Sequence, residues 1–254
     1  MGPLLGDRYQ VVHPLWRDRL GETYVARDRR TGTPVTVRTL RGDLAAPPVA
    51  RRLHEERHRL TALRHPHLAA VLDLTEDRDA LIIVSEAVEG ATLRHRLRTG
   101  RPPDRDEVAR IAAGVAAGLH AMHDAGLLHQ NLRADTVVLT RTGEVRLTDV
   151  ALAHLVSATA AGRDRLRAAA PAPELADGAA PGPAADLFAL GVLLRDLSRR
   201  GPVRGLARRL RARDPRSRPT ARQAHTVSAS ASARTGGRAG PGRPEWSGSA
   251  PSPG

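Results

Sequence analysis

The chain has 254 residues, 41% of them apolar and only 2% aromatic, with a net charge of +13 and a pI near 11.5. With no cysteine it can hold no disulfide framework, thiolate nucleophile or Cys-bearing zinc site, which suits a cytoplasmic location. Every basic residue is arginine, scattered rather than gathered into a stripe with interleaved aromatics, so the charge reads as compositional bias and nucleic acid is not expected as a partner.

In chain order, residues 1–7 lack the basic start and apolar run of a signal peptide. Tyr24-Val25-Ala26 and Val35-Thr36-Val37 are β-prone runs on either side of Thr31-Gly32-Thr33-Pro34, the signature of a hairpin. Val49 to Leu63 reads as a helix with Leu53, Leu60 and Leu63 on one face. Leu81 to Val84 reads as a buried strand. From residue 90 onward helical spacing dominates: Val108, Ile111, Ala112, Val115, Leu119 and Met122 recur over four turns. The surrounding stretch, Val108 to Leu128, carries Arg110, His120, His123 and Asp124, so no transmembrane segment is expected. Asp186 to Leu197 is almost wholly apolar, as in a helix buried on every side. From Thr226 the composition turns to Ser, Ala, Gly, Pro and Arg, and residues 226–254 are expected to be a disordered tail in which only Trp246 stands out.

Several short motifs then fall in one order. They are Asp7-Arg8-Tyr9-Gln10-Val11, His65-Pro66-His67-Leu68, Glu86 through Leu93, and Gly126-Leu127-Leu128-His129. After them come Asp149-Val150-Ala151, Ala172-Pro173-Glu174, Asp186 through Gly191, and Arg218. Together they resemble the bacterial (actinobacterial-type) Ser/Thr protein kinase family over residues 7–225. The resemblance implies an α+β, two-lobed protein-kinase-like fold. A small β-rich N-lobe with helix αC would occupy about 7–86. A larger helical C-lobe, shortened near αG, would occupy about 87–225.

Phosphoryl transfer needs the nucleotide phosphates held, metal ions placed and a carboxylate to orient the attacking hydroxyl. By the resemblance, the first two positions of the glycine-rich loop are Trp16 and Asp18, and only Gly21 matches the third. The phosphate-binding lysine falls on Arg38, a longer, forked side chain. Glu56 matches its helix partner, so an Arg38–Glu56 pair is expected. The catalytic loop reads His129-Gln130-Asn131-Leu132-Arg133-Ala134-Asp135-Thr136. Its base aspartate falls on Asn131, its lysine on Arg133 and its metal-binding asparagine on Thr136. An amide cannot take up the hydroxyl proton, and general-base contributions are typically ~10²–10⁴-fold. Asp149 is the surviving metal-site carboxylate, either a weak Mg²⁺ ligand or a hydrogen-bond acceptor. Glu86, Val88 and Val138 match the walls of the adenine slot, with Thr23 and Thr36 in its roof and Ser85 at its rear. His129, Glu174, Asp186 and Arg218 match residues that hold the family's architecture, Glu174 and Arg218 as an ion pair.

The features that support the fold are kept while those that serve the chemistry have changed. The resemblance therefore implies a pseudokinase: a regulatory or scaffolding module that binds protein partners, such as an active kinase or a regulatory complex. ATP and Mg²⁺ would be weakly bound or absent. A divergent, slow Ser/Thr kinase using Arg38 and Asp149 is the alternative. A basic nucleic-acid or membrane-surface binder, supported only by net charge, is the second. His54-Glu55-Glu56-Arg57-His58 matches the His-Glu-x-x-His zinc pattern literally. Its charged middle and Arg-rich flanks argue against a buried metalloprotease helix, and no zinc is expected.

Overall fold

The computed structural model describes residues 2–78, 80–100, 102–166, 172–198 and 202–236. A six-stranded antiparallel sheet comes first. Its strands are β1 (Leu4–Leu5), β2 (Tyr9–Asp18), β3 (Gly21–Asp28), β4 (Pro34–Arg41), β5 (Val71–Asp77) and β6 (Ala80–Glu86), in the order β1-β2-β3-β4-β6-β5. The period-2 pattern sorts its faces. Val35, Val37, Ile82 and Val84 join an outer apolar cluster with Tyr9, Val11 and Ala26. Leu40, Leu81 and Ile83 face the main core with Leu53 and Leu60. The latter pair lies on α1 (Pro47–Ala62), whose prolines stand in the first turn, where no backbone donor is needed. Arg57 of α1 and the Tyr9 hydroxyl both bind Asp73, tying helix to sheet.

The second lobe begins at β7 (Gly90–Thr92) and α2 (Leu93–Arg98). Its central helix is α3 (Arg105–Asp124). Asp104 caps α3 by accepting from the backbones of Asp106 and Glu107, and the Glu107 side chain returns the bond. The apolar positions predicted from spacing, Val108 through Met122, are all buried. A small sheet, β7-β8-β9, adds β8 (Val137–Thr140) and β9 (Val145–Leu147). Three short helices follow: α4 (Leu152–Val156), α5 (Ala160–Leu166) and α6 (Pro173–Ala176). Helix α7 (Pro183–Leu197) is shielded along most of its length, with only Arg195 and Asp196 exposed after its first turn. It is joined closely to α8 (Pro202–Leu210): a Cβ on Gly191 would stand 2.8 Å from Leu210 Cβ.

The chain's expected boundary at residue 225 is corrected by α9 (Ala221–Gly236). Ala224, Ser228 and Ala231 are buried on it, and His225 Nδ1 meets the Ala113 carbonyl of α3 at 3.0 Å. Small residues at helical spacing let α9 lie close against α3, so a composition typical of disorder here makes a packed helix. Residues 237–254, Trp246 included, lie outside the described residues. No helix among the described residues is long and apolar enough to cross a membrane.

Candidate functional site

Between the lobes lies a cavity of about 470 Å³. The inner face of the sheet supplies Thr23, Thr36, Arg38, Ile83 and Ser85, and the second lobe supplies Val138 and Asp149. Glu86 and Val88 line it where the chain passes from one lobe to the other.

One side of this site is filled by an ion network of the chain's own making. The β2–β3 hairpin turns through Arg19 and Leu20, with Asp18 opposite Gly21. Asp18 Oδ1 accepts from the Leu20 backbone at 2.8 Å, and the Leu20 side chain is buried in the main core. Gly21 has φ +136°, and a Cβ there would stand 2.1 Å from the Thr39 carbonyl, so β3 can approach β4 this closely only with glycine. The hairpin is thereby pinned inward. Its Asp18 carboxylate meets Arg38 Nη2 at 2.5 Å through one oxygen and Arg133 Nη2 at 3.1 Å through the other. Arg38 is buried. It also donates to the Thr23 hydroxyl at 3.2 Å and stands 3.5 Å from Asp149. Asp149 in turn accepts from Asn131 Nδ2 at 3.4 Å. Two carboxylates thus balance two guanidiniums, which matters because a buried charge left unpaired is costly.

The predicted Arg38–Glu56 pair does not form. Glu56 turns away to His154 Nε2 of α4, at 3.3 Å, and to Arg59, at 3.2 Å, and it does not line the cavity. Arg38 finds its carboxylate on the hairpin side instead, in Asp18. Arg52 of α1 reinforces the alternative docking by donating to the His154 carbonyl and the Ser157 hydroxyl, both at 3.1 Å. Burial pushes the His154 imidazole below its ordinary value, against the pull of Glu56.

Thr136 sits where the resemblance placed a metal ligand. Its hydroxyl donates to the Asn131 and Arg133 carbonyls, at 3.2 and 3.0 Å, and accepts from the Arg133 backbone, so it closes the loop on itself. Asp135 binds Arg94 at 3.3 Å and stands 3.9 Å from Arg133 Nε. Gly21, on the hairpin opposite Asp18, does not line the cavity.

The loop's scaffold is tightly bonded. Asp186, buried at the start of α7, accepts from the His129 and Gln130 backbones at 2.9 and 2.7 Å and from His123 at 2.9 Å. Fully buried His129 donates from Nε2 to the Thr148 carbonyl and accepts the Asn131 N–H at Nδ1. Both roles fit a neutral ring, and burial holds it there. Gln130 and Asp149 have φ of +50° and +61°, left-handed conformations rare outside glycine. Farther out, Arg218 makes a two-pronged pair with Glu174 at 2.6 and 2.7 Å, with its guanidinium 5.0 Å over the Phe188 ring. Arg146 pairs with Glu86. His54 binds Glu76, and no cluster among the described residues has the makings of a metal site.

Asp18 as a partner for Arg38 and Arg133 was missed from the sequence. The signal available was compensation: an acidic residue at a position where the resembled family has glycine, in a chain with arginine at both lysine positions.

Comparison with known proteins agrees with this fold. The protein kinase domain family matches residues 9–205. Among curated relatives, a probable serine/threonine-protein kinase of Streptomyces coelicolor is 34% identical over 205 residues, covering 76% of this chain and 30% of its own length. PkaB, a serine/threonine-protein kinase of the same organism, is 32% identical, covering 78% of this chain and 50% of its own. The chain thus spans half or less of these relatives. The kinase domain of Mycobacterium tuberculosis PknI superposes with a TM-score of 0.71 at 24% identity, covering 91% of this chain and 97% of that one, a likeness of fold.

Proposed function

The chain belongs to the protein kinase family, and on that premise we propose that it acts as a pseudokinase, a regulatory or scaffolding module with impaired or absent phosphoryl transfer. The observation that carries this reading is Asp18, held between Arg38 and Arg133. In a working kinase the cations beside the nucleotide face its phosphates. Here both are already engaged by a carboxylate of the same chain. Two unit charges about 4 Å apart near a protein surface interact by about 4 kcal/mol. Phosphates entering here therefore either displace Asp18 or meet its repulsion.

Three further features support the reading. Asn131 supplies an amide where proton acceptance is needed. Thr136 has its hydroxyl committed to the loop backbone. Asp149, the remaining candidate for Mg²⁺, stands beside Arg38, whose charge opposes a second cation. The fold's supports, Asp186 and the Glu174–Arg218 pair, are intact, as a module that binds other proteins requires.

A divergent kinase of low activity fits the family comparisons equally well. Incubation with radiolabelled ATP, Mg²⁺ or Mn²⁺ and a protein substrate separates the two. The pseudokinase reading expects no label on the chain or the substrate above background.

A further inference from the structure

We infer that the interlobe cavity takes an uncharged nucleoside in preference to the same nucleoside carrying phosphates. The inference builds on the pseudokinase reading and names the ligand class of that site.

The two halves of the cleft differ in kind. One half remains open and largely apolar, walled by Leu15, Ala69, Ile83, Val88, Val138 and Leu152. Apolar walls with a few polar groups suit a flat, neutral heteroaromatic ring. Val88 offers those polar groups: among the described residues its backbone N–H and C=O have no hydrogen-bond partner. A donor and an acceptor on one residue match the alternating edge of a nucleobase. Such groups gain from a ligand that pairs them, because a covered but unpaired donor or acceptor is costly.

The other half is closed to anions. Asp18 and Asp149 place two carboxylates there, and each already holds Arg38. The Leu20 side chain, buried in the core, anchors the hairpin that carries Asp18. Phosphates would have to lift this anchored hairpin before gaining either guanidinium. A nucleoside ends short of that barrier. Its affinity draws on the apolar half alone, and each added phosphate lowers it.

Calorimetric titration of the full chain with adenosine, and separately with ATP with and without Mg²⁺, tests the order. Adenosine is expected to bind about tenfold or more tightly than ATP, with no effect of Mg²⁺ on adenosine. Replacing Asp18→Asn removes one charge and keeps the acceptor for the Leu20 backbone. ATP should then gain about tenfold, the effect of one less like charge beside the phosphates, while adenosine stays unchanged. ATP binding as tightly as adenosine to the unaltered chain would overturn the inference. So would failure of adenosine to bind at millimolar concentration. If Asp18→Asn does not fold, the affinity ratio of the unaltered chain decides. Tight ATP binding without label transfer would sink this inference alone, whereas label transfer would sink the pseudokinase reading beneath it.

Discussion

Asp18 reaches Arg38 at 2.5 Å from a hairpin twenty residues upstream, and its other oxygen reaches Arg133 more than a hundred residues downstream. One carboxylate therefore joins the sheet of the first lobe to the loop of the second.

Energetic coupling should follow from that contact. In a double-mutant cycle of Asp18→Ala and Arg38→Ala, urea unfolding should give an interaction energy of about 1–3 kcal/mol. Simple additivity would mean the pair is incidental to the closed site.

By contrast, Glu56 should be nearly independent of Arg38. Its partners are His154 and Arg59. Glu56→Ala should cost about 1 kcal/mol or less, and the Glu56/Arg38 cycle should be additive within about 0.5 kcal/mol. A large coupling would restore the pair expected from the resemblance.

The Glu174–Arg218 pair should matter far more. The Arg218 side chain is fully buried, so Glu174→Ala leaves it without its carboxylate, and a loss of about 3–5 kcal/mol is expected on denaturant titration. Acid should have a graded version of this effect. Arg218 holds the Glu174 carboxyl below its ordinary value of 4.5. The unfolded chain therefore takes up a proton first as pH falls. The pair's contribution is full above about pH 4.5 and is lost as pH drops through the lower folded value. Glu174→Gln should flatten that part of the stability–pH curve.

Ending the chain after His225 should damage the fold, because it removes the turns of α9 that bury Ser228 and Ala231. Thermal unfolding monitored by circular dichroism should show a lower midpoint than for a chain ending after Gly236. Equal midpoints would mean that these turns contribute no stability.

Much of this molecule is legible in its sequence because local pattern and architecture agree. The β-prone run Val35-Thr36-Val37 became part of β4, the continuous apolar run Leu81 to Val84 became the buried stretch of β6, and the spacing from Val108 to Met122 became the buried face of α3. Asp186, Glu174 and Arg218 could be placed because their partners are bound up with the fold itself. Other features depend on distances that no local pattern carries. Whether Glu56 faces Arg38 or His154 is decided by how α1 docks against α4. That docking involves side chains about a hundred residues apart, such as Arg52 and Ser157. The end of α9 was hidden for a different reason: alanine and serine suit close helix packing as well as they suit a solvated tail.

Transfer of the γ-phosphate tests the central claim most directly. Purified chain is incubated with γ-labelled ATP, Mg²⁺ or Mn²⁺, and a mixture of Ser/Thr peptides. Because Asp18 occupies the cations and Asn131 cannot take the proton, counts should stay at the level of a no-protein blank. Time-dependent labelling that requires both the chain and the metal ion would contradict the claim.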